Sequence, residues 1–389
     1  VARQRVFGAE TGDTSEIALP TAGVTADGII FNGTGGIGGA YAYKMTTTTG
    51  IYLARNFNLS RGFFRFYFIV DTDTAPASQV FYNASNWDDG AVAKGSFMIT
   101  QQAGGAFSFY LTDSVGAFVN ETVVSIAKNI WYRVEIDLTV GAGTGACVTY
   151  LNGVVVQSVS SQNFGAGNIA NWGANNNINN TGRNFWLDDL AADDAQLCGA
   201  GYVVARQFEP GTPTSNNWTL TGGASIDTVW SDTPFNAATF ATSPNQTGES
   251  AQTALTASFS ATQSGHGGGV IDATAAINAI KVGGIAKASS TADNINGGII
   301  RALFDGVATD TQVTLTTSDA YYETPVFTDS LGDLNASEAG WNKEVSASAG
   351  TQTVEDMWVM AEYTPGVTAG VGAQIGDVMY APKWRRGWN

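Results

Sequence analysis

Alternation with a period of two constrains this chain more than any other feature. In "RGFFRFYFIVD", Phe64, Phe66, Phe68 and Val70 fall on one side, as in a strand with one buried face. "GSFMITQQAGGAFSFYLTDS" reads as two strands around Gly104-Gly105, with Phe107, Phe109 and Leu111 aligned. "QVFYNAS", "AFVNETVV" and "NFWLDDLAA" add further short strands. About eleven candidate strands precede residue 195, spaced by about 8–15 residues, and this predicts a β-sandwich or jelly roll. "GGIIRALFDG", "TQVTLTTS", "AYYETPVF" and "EDMWVMAEYT" carry the alternation, more weakly, through the second half. The expected fold class is all-β, with two sandwiches in tandem.

The pattern breaks in a few places. "FGAGNIANWGANNNINNTGRN", residues 164–184, is rich in Asn and Gly and reads as a long surface loop holding Trp172. Gly199, Gly201, Pro210 and Pro213 mark a joint. The expected division is a first sandwich over 1–195, a linker over 196–212, a second sandwich over 213–365 and a terminal arm over 366–389. "DATAAINAIKV" is ambiguous, because Asp272 could cap a short helix or the segment could be a strand. No repeat of 20–50 residues is evident, which argues against a solenoid or propeller.

Composition fits an uncharged β surface. Only 13% of the 389 residues are charged, and Gly accounts for 47. The balance is acidic, 18 basic against 34 acidic residues, formally −16. A field of that sign repels phosphate, so no nucleic-acid partner is expected. No apolar run reaches the roughly 20 residues of a membrane helix, and no signal-peptide core is visible, so no membrane partner is expected. Cys147 and Cys198 are too few for a disulfide framework and are expected as free buried thiols, although they could pair.

"WYRVEIDLTVGAGTGACVTYLNGVVV" raises the question of chemistry. Tyr132, Val134, Ile136 and Leu138 share one face of its first strand; Trp131, Arg133, Glu135 and Asp137 share the other. Asn152-Gly153 signals a tight hairpin turn. Glu135 and Asp137 lie about 7 Å apart along the strand, and glycosidases need two carboxyls flanking the scissile bond. The segment resembles the laminarinase-like glycoside hydrolases, which carry Glu-x-Asp-x-x-Glu on one strand. Here the third position is Val140, so the acid/base partner is missing. The expectation is a solvated strand face with an Arg133–Glu135–Asp137 charge cluster, and no catalytic residue.

The order "WYRVEIDL", "CVTYLNGVVV", "FWLDDLAA" is similar to the laminin-G-like, concanavalin-type jelly roll over residues 1–195. The chain from "RVFGAETGD" onward also resembles a group of tailed-bacteriophage proteins. In the second half, "GYVVARQFEPGTPTSNNW", "AINAIKVGGIAKAS", "EAGWNKEVSAS" and "EDMWVMAEYT" carry that likeness. The resemblance implies a virion structural component, made in the host cytoplasm and assembled on the particle exterior.

Other candidate sites are thin. Asp188, Asp189, Asp193 and Asp194 could bind Ca²⁺, which takes six to eight oxygens, but the expectation is a solvated strand end. "NWDDGA", residues 86–91, is explained by a turn. His266 is the single histidine and lacks an orienting partner in sequence; one His and two distant Cys make no zinc site. "GGIGGAYAY" lacks the following helix of a dinucleotide loop. Trp172, with Asn175 and Asn176, could recognise glycan, the indole as platform and the amides as hydrogen-bond partners. Lys383, Trp384, Arg385, Arg386 and Trp388, in "PKWRRGWN", suit docking onto a neighbouring subunit.

The favoured reading is a non-enzymatic phage structural protein of the tail, baseplate, fibre or capsid surface. Its partners would be other virion proteins and further copies of itself. A carbohydrate-binding adhesin for a host-surface glycan is the alternative, and a glycoside hydrolase through Glu135 and Asp137 the third. No cofactor is expected, Ca²⁺ being the one candidate.

Overall fold

A computed structural model gives the architecture. It describes residues 3–8, 24–27, 42–45, 51–54, 56–176, 183–206, 215–216, 218–222, 240–243, 254–258, 271, 274–292, 295–304, 307–327, 338–344 and 349–365.

The described residues are all-β. The first half supplies β1 (Arg3–Phe7), β2 (Val24–Asp27), β3 (Ala42–Met45), β4 (Ile51–Ala54), β5 (Arg61–Val70), β6 (Val80–Asp88) and β7 (Ala93–Gln101). It continues through β8 (Phe107–Thr112), β9 (Phe118–Val124), β10 (Tyr132–Thr139), β11 (Gly145–Leu151), β12 (Val154–Gln162), β13 (Asn171–Asn176) and β14 (Phe185–Asp193). Next come β15 (Tyr202–Arg206), β16 (Ser215–Asn216), β17 (Thr219–Thr221), β18 (Phe240–Thr242), β19 (Ala254–Ser258) and β20 (Ala276–Ala288). The last are β21 (Gly297–Phe304), β22 (Val307–Thr314), β23 (Ala320–Glu323), β24 (Glu338–Lys343) and β25 (Gln352–Thr364).

These strands make four antiparallel sheets in two sandwiches. Sheet one runs β12-β11-β10-β5-β14-β3-β2, with β1 added on β14; sheet two runs β4-β13-β6-β7-β8-β9. Sheet three runs β17-β18-β25-β20-β23, with β15 also on β25; sheet four runs β16-β19-β24-β21-β22. Between sheets one and two, the alternating Phe64, Phe66 and Phe68 meet Phe97, Phe109, Trp87 and Trp172 in one buried cluster. Sheets three and four enclose Ile280, Val282, Ile300, Trp341 and Val359.

A third cluster fuses the sandwiches. Val6 and Ala191 on sheet one, Cys198 in the connection, and Val203, Ala279, Ile285, Trp358 and Met360 on sheet three are all buried together. The stacking order is therefore sheet two, one, three, four. Aligned sheets pack about 10 Å apart, so a face between two sheets is closed to water.

One expectation fails here, and one open reading is decided. Residues 171–176 form β13, not a loop, because their backbone pairs with β4 on one side and β6 on the other. "DATAAINAIKV" holds no helix over its described residues: β20 begins at Ala276 and pairs along its length with β25, from Ala276↔Thr364 to Ala288↔Gln352. Tertiary pairing outweighs the weak local propensity of Ala-rich sequence.

Candidate functional site

The outward face of β10 was expected to be wet. It is covered instead. Glu135 is buried, its Oε1 accepting a hydrogen bond from Gly199 N at 2.7 Å, and its Oε2 lies 3.2 Å from Arg133 Nε. Across the sheet Glu135 faces Arg65 on β5 and Tyr150 on β11, so no carboxylate stands opposite it. Asp137 takes both bonds of an Arg61 fork, at 2.8 and 2.7 Å. That hydrogen bond raises the Arg61 guanidinium above its ordinary value. Each acid is held by an arginine, an arrangement suited to docking the connection and unlike two carboxyls flanking a sugar bond.

The acids of "FWLDDLAA" are buried too, which corrects the expectation of a solvated strand end. Asp188, Asp189 and Asp193 all lie in the joint between the sandwiches. The cause is a bulge. Asp188 pairs with Tyr67 and Ala191 with Arg65, so two residues of β14 oppose one of β5. Asp189 adopts φ 48°, a left-handed conformation that Asp tolerates. The kink carries its Oδ1 to Val203 N at 2.6 Å, on the first strand of the second sandwich.

Around it the charges interlock. Arg65 Nη1 donates to Glu362 Oε1 at 2.5 Å, and its Nε to Asp189 O at 3.1 Å. Arg3 Nε donates to Glu362 Oε2 at 2.7 Å, and its Nη1 to Asp193 Oδ2 at 3.2 Å. Burial, then the neighbouring Asp188 charge, raises the Asp189 carboxyl well above the usual carboxylate range. Buried ion pairs are tolerated only when, as for Glu362, the oxygens are well bonded. A cleft of about 480 Å³ opens beside this cluster, lined by Arg3, Asp193, Gln196, Asn278 and Thr364. Among the described residues, no three His, Cys, Asp or Glu side chains are arranged to hold a metal ion.

The opposite face of the first sandwich is open. On the outer side of sheet two, Asn83 pairs with Met98, Met98 with Tyr110, and Tyr110 with Glu121. Tyr110 packs edge-on against Phe81 at 5.8 Å and tilts against Phe118 at 5.1 Å. Phe118 is 58% exposed. An aromatic strip thus crosses the strands. Hydroxyls lie beneath it: Ser96 Oγ, partly exposed, is 2.6 Å from Thr112 Oγ1, and Thr100 Oγ1 is 2.8 Å from Ser108 Oγ, with Thr112, Thr100 and Ser108 buried. Glu121, exposed beside the strip, accepts from Ser108 Oγ and Gln102 Nε2. The aromatic faces offer apolar contact, with the partly exposed Ser96 and the exposed Glu121 as polar neighbours.

This face lies beside, not on, the expected glycan residues. Trp172 is fully buried with its ring 5.2 Å from Phe64, and its Nε1 donates to Ser85 Oγ at 3.0 Å. An indole inside the core gives no platform. Asn175 and Asn176 pair in backbone register with Asn83 and Tyr82, on the β6 side of sheet two. "FSFYLT" did carry the missed signal: if Phe107, Phe109 and Leu111 point inward, Ser108, Tyr110 and Thr112 point out.

"NWDDGA" is a turn. Asp89 Oδ1 accepts from Ala91 N and Val92 N, and its Oδ2 from Lys94 Nζ at 2.7 Å. The Lys94 hydrogen bond, with those from the backbone, pulls the Asp89 carboxyl down to about 2. Cys147 and Cys198 are buried free thiols, each pushed up to about 12 chiefly by burial. Asp194 bonds Gln4 Nε2 at the surface. His266 and the arm residues Lys383, Trp384, Arg385, Arg386 and Trp388 lie outside the described residues.

No protein-family model and no curated protein matches the chain. Solved structures resemble it in part. An endo-β-1,4-glucuronan lyase from the fungus Trichoderma reesei aligns over 51% of this chain and 100% of its own, at 15% identity and TM-score 0.37. The CBM2 module of the evolved Dit of Lactobacillus casei BL23 phage J-1 aligns over 49% of this chain and 95% of its own, at 16% identity and TM-score 0.34. The Caenorhabditis elegans galectin LEC-6 aligns over 42% of this chain and 99% of its own, at 11% identity and TM-score 0.26. Likenesses this distant say nothing of ligand or activity in this chain.

Proposed function

We propose that this chain is a non-catalytic binding and structural module, a stiff pair of sandwiches that presents an aromatic saccharide-binding face. The strip Phe81–Tyr110–Phe118 carries the reading. Pyranose rings have apolar C–H faces and equatorial hydroxyls; the aromatic strip offers a counterpart to the first, and the exposed Glu121 carboxylate beside it an acceptor for the second. A titration of neutral oligosaccharides, or a glycan array, tests it. Wild-type protein binds with and without a Ca²⁺ chelator, and Phe118→Ala weakens binding by about tenfold, the loss of about one aromatic contact. Array signal that stays at background for the wild type overturns the reading.

The setting we propose is the exterior of a phage particle. The order of motifs in the first half and the four stretches of the second half support it. A joint closed by an apolar cluster and buried ion pairs suits a part that transmits load. Antibodies to the chain should label purified virions; labelling confined to host cytoplasm would remove this setting and leave the saccharide face standing.

A further inference from the structure

One side chain sets the charge of the aromatic face. Glu121 on β9 stands directly across from Tyr110, the middle ring of the strip. Directly opposed side chains of an antiparallel pair lie about 5 Å apart at Cβ, so a ligand resting on Tyr110 meets this carboxylate. The carboxylate is held in place, because its Oε1 accepts from both Ser108 Oγ and Gln102 Nε2. Its Oε2 has no hydrogen-bond partner among the described residues, and the residue is exposed. A second acid precedes Phe118. Asp113 opens the β8–β9 turn, where its N donates to Ala117 O at 3.0 Å. Its Oδ1 accepts from Val115 N and Ala117 N at 2.9 and 2.8 Å. Phe118 therefore stands between two acids along the chain. Two cations of this region are turned to other partners. Arg183 donates to Gln101 Oε1 and Thr74 O. Gln101 pairs with Phe107, three residues or about 10 Å along β8 from Tyr110. Lys94 is buried, its Nζ on Asp89 Oδ2 and Ala166 O.

We infer that this face selects saccharides by charge, taking uncharged and amine-bearing sugars and rejecting those with carboxylate or sulfate, and that Glu121 is the specificity-determining residue. The inference rests on the saccharide reading of the strip. A sugar hydroxyl or ammonium group over Tyr110 can donate to the open Oε2. A sugar carboxylate in the same place has no proton to donate and meets a like charge, the arrangement by which binding surfaces refuse wrong partners. The body of the protein, at −16, adds repulsion of the same sign at longer range. The rings supply affinity for any pyranose; the fixed acid decides which ones stay.

The test uses the full chain on an array of neutral, amine-bearing, carboxylated and sulfated glycans. Wild type should bind the first two classes more strongly than the acidic ones. Each neutral glycan that binds is then titrated beside the same glycan with its C6 alcohols oxidised to carboxylates. The oxidised form should bind about three- to tenfold more weakly. Added salt should narrow that gap and leave the neutral affinity unmoved, a readout that needs no variant. Glu121→Gln should close most of the gap. Asp113→Asn, which keeps the acceptor for Val115 N and Ala117 N, should close a smaller part. Melting temperatures equal to wild type show that the fold of each variant is intact. Background signal for every class removes the saccharide reading, and this inference with it. Acidic glycans bound as tightly as neutral ones, a gap that salt does not narrow, or one that Glu121→Gln leaves unchanged overturns the charge selection alone and leaves the saccharide face standing.

Discussion

The two outer faces of the first sandwich began as similar strands and ended as opposite surfaces. Sheet one turns Arg65, Glu135, Asp188 and Asp189 outward from its own core, yet all four are buried. Sheet two turns Tyr110 and Phe118 outward, and Phe118 stays exposed. The more highly charged face is the dry one and the aromatic face the wet one, the reverse of the usual arrangement. A charge is costly to bury alone, but a set of interlocking charges fixes one docking geometry. An aromatic face that is left open points to a ligand.

Breaking the closed face should cost most. Arg65→Ala removes one of the two arginines on the buried Glu362 carboxylate and the bond to Asp189 O, so chemical denaturation should show a loss of about 3 kcal/mol. Gly201→Ala is a milder wedge. A Cβ there would meet Arg65 Nη1 at 2.7 Å and Glu362 Oε1 at 2.9 Å, and overpacking of this kind costs about 1–3 kcal/mol.

Asp189 gives the joint a pH dependence of definite sign. Its carboxyl faces Asp188 on its own strand, Arg65 on β5 and Glu362 on β25, and is raised by burial first. The native joint keeps a proton that the unfolded chain gives up. Stability from this group is full below the ordinary carboxylate value and falls as pH climbs toward the raised one, by up to about 1.4 kcal/mol per pH unit. Asp189→Asn keeps the left-handed conformation and the acceptor for Val203 N, so it should flatten that slope in a series of melts at different pH.

The open face should behave the other way. Phe118→Ala should leave stability within about 0.5 kcal/mol of wild type while weakening saccharide binding. If instead Phe118→Ala unfolds the protein and Arg65→Ala does not, the contrast between the faces is wrong.

Much of this was legible in advance. The period-two pattern gave the all-β class and the inward set Phe64, Phe66 and Phe68. It also split Arg133, Glu135 and Asp137 from the core correctly. What alternation does not report is whether a second sandwich later covers the outward set, so Glu135 and Asp189 were misread as solvated. Asn-rich composition hid β13, because a central strand is fixed by neighbours far away in sequence, and Trp172 went with it. The aromatic strip was missed for another reason. Phe81, Tyr110 and Phe118 come from three strands and meet only once the sheet is paired.

Arg3 and Glu362 are 359 residues apart in the chain. At about 5–20 residues per second, a ribosome needs tens of seconds to bring the second into existence after the first. During that interval sheet one has a face of charges and apolar groups with nothing to close it. A truncated product lacking β25 would keep that face for good, and is the form of this chain most in need of a chaperone.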